Sequence, residues 1–446
     1  MYNLQVYKLP SANKDISGSL QDSLFSTYPT QPLFSLGFHS FIHRTKDSMS
    51  ITNKLKTKNK FYYVANPFEH IINDYSGSLS NLTNLYLNIK NKEDRILSRA
   101  FYKMWEILFM FDLITKEDIT YSALAEGPGA FLQAVIMYKE KFLNGVKKDK
   151  IFAVTIHAEE GKNINIGKQF LGFYKKKYPG LINLHKTFTK KTANKYKSKD
   201  NGDLTKVKTI SLFKKDMNKQ KRKADLITAD GGFQWKDENY QEQEAYALII
   251  GEILAALNVQ NVGGSFVLKL FETFTNVSLK LIYILTYFYE ESYIYKPHFS
   301  RLSNSEKYII CKGFKKLPVK NTIKVLETIL EKMNTTDYLN DIFLDVELPK
   351  DFIGTFQNIN TEIANNQQIL INKIIKYIKG NNYFGDKYHQ YKKQQIDSTE
   401  YWSKLFFPPT NDLYKENQKN IKLKMKQEIS KNQENVIKIQ EKFTNN

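Results

Sequence analysis

The sequence predicts an α/β protein with a doubly wound core, and three observations carry that reading. Between about residues 95 and 316, short apolar runs alternate with stretches whose apolar residues recur at helical spacing. Several of those runs stop at loops rich in glycine and acidic residues, such as 126–129 and 230–232. The chain of 446 residues has 41% apolar residues, enough for one large core with extensions or for up to about three domains.

Residues 1–94 are rich in Ser, Asn, Lys and aromatics, with turn-like stretches at 10–13 and 76–78, and read as an irregular N-terminal extension. Ile96, Ala100, Met104, Leu108 and Phe111 then recur at helical spacing, so one face of a helix is buried there. A strand over 120–125 ends in Glu126-Gly127-Pro128-Gly129 and leads to a helix over 131–138. Strands are expected at 151–157, 181–185, 224–229, 265–271, 292–295 and 308–311, with helices at 245–257 and 279–288. Residues 317–410 form a helical C-terminal region, in which Leu326, Ile329, Leu330 and Met333 share one face. Ile369, Ile371, Ile374, Ile375 and Ile378 share another, up to the break at Phe407-Pro408-Pro409. The stretch 411–446 is Lys/Gln/Asn-rich and reads as a basic tail or a lone amphipathic helix, the tail being slightly favoured.

Charge narrows the partner. Lys+Arg 66 against Asp+Glu 46 leaves +20, which suits a polyanion, since each phosphate neutralised releases condensed counterions; simple solubility is the other reading. The single Cys311 excludes an internal disulfide framework and a Cys-rich zinc site. His39, His43, His70, His157, His185 and His298 show no zinc-ligand spacing, so no metal is expected. The opening MYNLQVYKLP has no apolar signal core, and no apolar run nears the ~18 residues of a membrane span. A soluble, intracellular protein without membrane contact is expected.

Open α/β sheets bind ligands outside the carboxyl ends of their strands. After the first strand, Glu126-Gly127-Pro128-Gly129-Ala130-Phe131 permits a tight turn and close backbone approach. Leu132 stands where a dinucleotide fingerprint needs glycine, and no Gly-Lys-Ser/Thr follows for a P-loop. Asp230, ahead of Gly231-Gly232, either caps the next helix or serves a site. Lys269 interrupts the apolar strand 265–271, so it must be paired or must snorkel from an edge. Asp230, ending the neighbouring strand, is its expected partner.

The segment 224–233 together with Gly263-Gly264-Ser265-Phe266-Val267-Leu268-Lys269 resembles the FtsJ-like RNA 2′-O-ribose methyltransferases, in the branch that methylates mRNA caps, including versions carried by large DNA viruses. Asn66-Pro67-Phe68-Glu69, Ser98-Arg99-Ala100-Phe101-Tyr102-Lys103 and the ordered set Lys296-Pro297, Ser300-Arg301, Asn304-Ser305-Glu306-Lys307-Tyr308 resemble further motifs of that family. The likeness covers roughly 60–315. It implies a Rossmann-like S-adenosylmethionine-dependent methyltransferase core, with a mostly parallel seven-stranded sheet and helices on both faces.

The resemblance also implies a Lys-Asp-Lys-Glu tetrad of Lys103, Asp230, Lys269 and Glu306. A ribose hydroxyl needs alignment and loss of one proton, and a lysine accepts it only if burial or a neighbouring cation lowers its pKa. Lys269 is thus the expected base, with Lys103 depressing its pKa, Asp230 orienting it and Glu306 holding one lysine. Cofactor contacts are implied for Glu126, Gly127, Pro128, Gly129, Ala130 and Phe131, and on the adenine side for Asp203 and Leu204. Ala130 stands where the family usually has a second glycine, and Glu126 also departs from the pattern; Glu126 either reaches the donor's positive charge or faces solvent. Glu238 and Asn239 are implied contacts to the methylated guanine, with Trp235 able to stack, and Arg99 and Arg301 are expected to bind substrate. Lys175-Lys176-Lys177, Lys190-Lys191 and Lys214-Lys215 either track an RNA backbone or are solvated.

The expected activity is 2′-O-methylation of the cap-proximal nucleotide of mRNA. An uncapped RNA substrate and a catalytically silent RNA-binding scaffold are the alternatives. A capping-enzyme partner is possible on the same likeness. Lys/Asn/Ile-heavy usage suits an AT-rich genome such as that of a cytoplasmic virus, which would place the protein in the host cytoplasm or virion.

Overall fold

The structure is a computed structural model and describes residues 4–12, 16, 23–30, 32, 36–54, 62–69, 78–90, 93–157, 165–185, 187, 200–232, 236–333 and 337–444. Ten strands occur among them: β1 Gln5–Lys8, β2 Ser23–Ser26, β3 Thr120–Leu124, β4 Lys150–Val154, β5 Ile182–Leu184, β6 Ala224–Ala229, β7 Gln260–Leu270, β8 Tyr289–Lys296, β9 Lys307–Phe314 and β10 Tyr338–Ile342. Eleven longer helices accompany them. These are α1 Leu36–Asp47, α2 Ala100–Phe111, α3 Ala130–Phe142, α4 Lys168–Lys177, α5 Val207–Lys219, α6 Gln241–Val259, α7 Asn276–Phe288, α8 Lys320–Lys332, α9 Lys350–Lys379, α10 Gly385–Phe406 and α11 Asn411–Thr444. None is long and apolar enough to cross a membrane.

The main sheet runs β1-β8-β9-β7-β6-β3-β4-β5. β5, β4, β3, β6 and β7 pair in parallel, β9 lies antiparallel between β7 and β8, and β1 lies antiparallel on the outer edge of β8. This is the Rossmann-like methyltransferase arrangement expected, with one correction: the sheet has eight strands, because Gln5–Lys8 of the N-terminal extension adds to it. Four residues ahead of a proline carry too weak a pattern to read as a strand. Their pairing is set by the exposed edge of β8.

Side chains alternate across this sheet with period two. Leu124, Phe152, Val154, Ile227, Phe266 and Leu268 point into the core packed by α5, α6, α7 and α8. Tyr121, Ala123, Ile151, Leu226, Val267 and Tyr308 point into the core packed by α2, α3, α10 and α11. Lys269 follows Val267 by two and so faces the side where α2 lies. That parity decides which helix can meet it.

The end of the chain is a helix packed on this second core, rather than a basic tail. Tyr414, Ile421, Met425 and Val436 are buried. The Tyr138 and Tyr414 hydroxyls lie 2.7 Å apart, and Asn432 Nδ2 donates to the Val6 carbonyl at 2.9 Å. One residue every turn suffices to bury a stripe, which is why the apolar positions looked sparse in sequence. In α9, Ile371 and Ile374 are buried as expected, whereas Ile369 is 66% exposed and leaves that face.

The loop 200–205 is tied down beside β4 and β5. His185 bridges Asp200 (Nε2–Oδ2 2.7 Å) and Asp216 (Nδ1–Oδ2 2.7 Å), while Asp200 Oδ1 accepts from Gly202 N and Thr209 Oγ1. Burial works to lower the imidazole pKa, but the two aspartates outweigh it and the net shift is upward. The aspartates shift downward, burial being overcome by the imidazole and the other donors. On α6, Gly251 meets the same loop, and a Cβ there would fall 2.0 Å from the Leu204 carbonyl oxygen.

Two outcomes follow from this clamp. An imidazole whose folded pKa lies above its unfolded value of about 6.5 stabilises fully below that pH, and the contribution is lost as pH rises through the folded pKa. His185→Gln is expected to cost about 1–3 kcal/mol near pH 6 and to remove the decline in stability that the parent shows at higher pH; equal slopes in parent and variant would exclude this network. Gly251→Ala is expected to cost about 1–3 kcal/mol by overpacking, read as a lower urea midpoint at unchanged slope.

Candidate active site

A crevice of about 950 Å³ opens at the carboxyl ends of β3, β4, β6 and β7. Gly127 and Pro128, Thr155 and Ile156, and Gly202 through Thr205 line one part, and Asp230, Gly232, Lys269 and Glu306 line the other. Glycine is required at position 202. Its φ is +79°, and a Cβ would sit 2.2 Å from the Thr155 carbonyl oxygen. At Gly232 a Cβ would approach Lys269 Nζ to 3.1 Å, so the bare backbone keeps the ammonium in the crevice wall.

Lys269 lies opposite Tyr308 across β7 and β9, and both reach Asp230. Lys269 Nζ lies 3.3 Å from Asp230 Oδ1 and donates to the Asp230 carbonyl at 3.0 Å, while the Tyr308 hydroxyl donates to Oδ1 at 2.9 Å. Lys103 on α2 donates to Glu306 Oε1 at 2.6 Å, as does Ser300 Oγ at 2.6 Å. Glu306 is held well below the usual carboxylate range: burial opposes this, but Lys103 and Lys269 prevail. All four residues expected to form a tetrad therefore meet in one charged cluster.

The expected depression of the Lys269 pKa is not found. Burial does push it down, but Asp230, Glu306 and Glu252 outweigh burial and raise it. Three acids face this ammonium, and Lys103 is occupied by Glu306. Beside the cluster the lysines whose pKa falls are Lys296, lowered to about 7 by burial with Glu306 resisting, and Lys307, lowered to about 8 by burial. The Lys296 ammonium donates to the carbonyls of Glu306 (2.6 Å) and Asn304 (2.9 Å) and so positions the segment carrying Glu306. Tyr308 and Lys296 belong to motifs visible in the sequence, but only strand register assigns their contacts. Glu252, in the middle of α6, carries no such signal. Its carboxylate accepts from Gly231 N at 3.2 Å, and burial pushes its pKa up to about 8.

Glu126 is buried rather than facing solvent. Its Oε1 accepts from Phe131 N (3.0 Å) and Leu132 N (3.1 Å) at the start of α3, and burial raises its pKa to about 8. Oε2 has no hydrogen-bond partner among the described residues. Ala130 and Phe131 are buried in the first turn of α3, and Gly129, with φ +110°, precedes them. Asp203 makes a turn, its Oδ1 accepting from Thr205 N (2.9 Å) and Thr205 Oγ1 (2.8 Å), and it lines the crevice beside Leu204.

The arginines expected to meet substrate are instead paired in this structure. Glu69 takes Arg99 Nη1 and, at 2.6 Å, Arg301 Nε, so the one carboxylate of the Asn-Pro-Phe-Glu box pairs with both and leaves one positive charge unbalanced within this trio. Asn239 Nδ2 donates to Asp47 Oδ1 on α1 at 3.2 Å. The side chain of Glu238, and Trp235 and Lys190-Lys191, lie outside the described residues. Lys177 pairs with Glu140, and Lys214 donates to Asn258 Oδ1, so these two lysines serve local structure.

Residues 96–314 match the family described as FtsJ-like methyltransferase. Cap-specific mRNA (nucleoside-2′-O-)-methyltransferase 1 of Caenorhabditis elegans is 28% identical over 382 residues, covering 79% of this chain and 39% of that protein. The enzyme of the same name from Trypanosoma cruzi is 33% identical over 162 residues, covering 34% of this chain and 42% of that protein. Cap-specific mRNA (nucleoside-2′-O-)-methyltransferase 2 of Drosophila melanogaster is 29% identical over 266 residues, covering 57% and 35%. The matched stretches thus span less than half the length of each relative. The sheet, the crevice and the charged cluster all fall within or beside the matched segment, and the chain carries an FtsJ-like methyltransferase domain homologous to the cap-specific mRNA 2′-O-methyltransferases.

Proposed function

We propose that this protein transfers a methyl group from S-adenosylmethionine to a ribose 2′-hydroxyl of RNA, most favourably the cap-proximal nucleotide of mRNA. The observation that carries the proposal is the convergence of Lys103, Asp230, Lys269 and Glu306 at the wall of the 950 Å³ crevice. The names of the relatives support the capped substrate, and the surplus of +20 supports RNA. The Lys/Asn/Ile-rich composition supports grouping it with versions from large DNA viruses, acting in a host cytoplasm.

The crevice suits the donor. Its walls combine apolar Ile156 and Leu248 with the carboxylates of Asp203 and Asp230, and Gly202 and Gly232 leave its floor open. Gly127 through Phe131 would hold the methionine and ribose parts, with Asp203 and Leu204 on the adenine side. The unpartnered Glu126 Oε2 supports a cationic neighbour near that turn. Bound there, the donor supplies an electrophilic methyl on a sulfonium, so the chain has to align the hydroxyl and remove one proton.

Lys269 is the group assigned to the 2′-hydroxyl. Asp230 and Tyr308 fix its position, and Lys103 with Glu306 completes the electrostatic frame. In the structure Lys269 holds its proton firmly, so its ammonium first orients the hydroxyl oxygen by donating to it. As the pull of Asp230 is offset by positive charge bound beside that carboxylate, the ammonium loses one proton to solvent, and the neutral amine then takes the hydroxyl's proton as the methyl is transferred. Glu238 and Asn239 would meet the methylated guanine, and Arg99 and Arg301 would exchange Glu69 for RNA phosphates.

Three measurements bear on this reading. Lys269→Ala, assayed on capped RNA with labelled donor, is expected to lose about 10²–10⁴ in turnover; near-parental turnover in a folded variant would remove Lys269 from the chemistry. Because the parental Lys269 pKa is raised, log kcat/KM is expected to climb with pH between about 7 and 9 at a slope near 1. A flat profile would leave Lys269 a positioning residue only. Turnover on capped RNA is expected to exceed that on an uncapped transcript of equal sequence; equal rates would transfer the proposal to an uncapped RNA substrate.

A further inference from the structure

Beside the crevice, on the far side of β7, lies a cluster that the methyl-transfer chemistry does not use. His39 and His43 stand four apart on α1 and so share one helix face. Glu272 follows the end of β7, just beyond Lys269. His43 Nε2 lies 3.1 Å from Glu272 Oε2 and His39 Nε2 lies 3.9 Å from the same oxygen. One ligand atom from each of the three residues falls within 4.8 Å of the others. The cluster is shielded from water: Glu272 is 2% exposed and each imidazole 13%.

We propose that His39, His43 and Glu272 form a three-ligand site for a divalent transition metal of the zinc class, which fastens α1 to the end of β7. Imidazole nitrogens at about 2.0–2.1 Å and a carboxylate oxygen at about 2.0–2.2 Å from zinc lie about 3.3 Å apart in tetrahedral geometry. The observed separations of 3.1 and 3.9 Å bracket that value. Hydrogen bonding alone accounts for only one of the imidazoles. His43 is within reach of the carboxylate, whereas His39 Nε2, 3.9 Å from the same oxygen, is too far to donate to it. The three ligand atoms stand close enough together for one ion to lie between them.

The surroundings fit that role. Lys46 pairs with the other carboxylate oxygen, Oε1, leaving Oε2 toward the imidazoles. Metal-ligating carboxylates are commonly oriented by such an outer hydrogen bond. The edge of His39 packs against Phe274, at 4.9 Å between ring centroids, which fixes the ring without adding a competing donor. Lys46 and Lys307 bring positive charge nearby, which opposes a cation, so binding rests on the three ligand atoms themselves. Three protein ligands leave a fourth position for water or a further ligand. Occupancy would hold α1 against β7, and α1 also carries Asp47, the partner of Asn239. The ion would thereby order the edge of the crevice on which Asn239 lies.

Cobalt(II), titrated into the full chain, is the probe. One equivalent is expected to bind with the intense visible absorption of four- or five-coordinate nitrogen–oxygen cobalt, and one equivalent of zinc is expected to bleach it. His43→Gln and Glu272→Gln should each weaken binding at least tenfold, whereas His389→Gln, at an exposed site on α10, should leave it unchanged. Zinc should raise the melting temperature of the parent and not that of His39→Gln/His43→Gln, a variant that keeps Glu272 paired with Lys46. Absence of a stoichiometric cobalt band, or equal binding by parent and the double variant, overturns the proposal. None of these readouts depends on methyl transfer.

Discussion

Two lysines and two carboxylates buried at the ends of the central strands set the strictest constraint on this fold. Each charge removed from water costs several kcal/mol and is tolerated only when a partner of opposite sign and further hydrogen bonds surround it. Lys103 therefore needs Glu306, and Lys269 needs Asp230. The partners need support in turn. Ser300 and Lys296 hold the Glu306 segment, and Tyr308 holds Asp230. A slip of one residue between β7 and β9 would turn Lys269 into the opposite core, among Phe266 and Leu268, and away from Asp230.

The regions flanking the parallel core serve the same cluster at one remove. α2 carries Lys103, and its outer side is braced by the C-terminal helices. Trp105 Nε1 donates to the Phe406 carbonyl at 2.8 Å, and Trp402 Nε1 donates to Glu106 Oε2 at 2.7 Å. Glu106 also accepts from the Tyr295 hydroxyl and from His298 N, which joins α2 to the end of β8. α11 then crosses α2 and α3 and reaches β1 through Asn432. The N-terminal segment closes the other edge, with β1 on the sheet and α1 against Glu272. The parallel core builds the crevice, and the flanks keep its walls in register.

Much of the core was legible because strand and helix periodicities are local. The strands from 120 to 314, the glycine turns after β3 and β6, and the anomaly of a lysine inside an apolar run all lie within windows of a few residues. Lys269 and Asp230 could be paired on paper because parallel neighbours end on the same side of a sheet. The strand Gln5–Lys8 could not be read this way, since an edge strand this short is stabilised by its neighbour rather than by its own pattern. The final helix was obscured by its high charge, and only its docking on Tyr138 and Val6 shows which of its residues are interior. Ile369 shows the converse error: an isoleucine at a plausible spacing that points to solvent.

Residue order alone was enough to define the alternating α/β core, the strand ends that carry glycine and acid, and the chemical type of the residues gathered there. It could not assign the balance of charge, because electrostatic interactions depend on distances between segments far apart in the chain. Asp230, Glu306 and Glu252 together turn the expected depression of the Lys269 pKa into an increase, and Glu69 pairs with the two arginines expected for substrate. His39 and His43 meet Glu272 only once α1 has folded over β7. Local pattern specifies which elements form; protonation and pairing are properties of the assembled interior, where a third group can reverse the sign that any two residues would suggest.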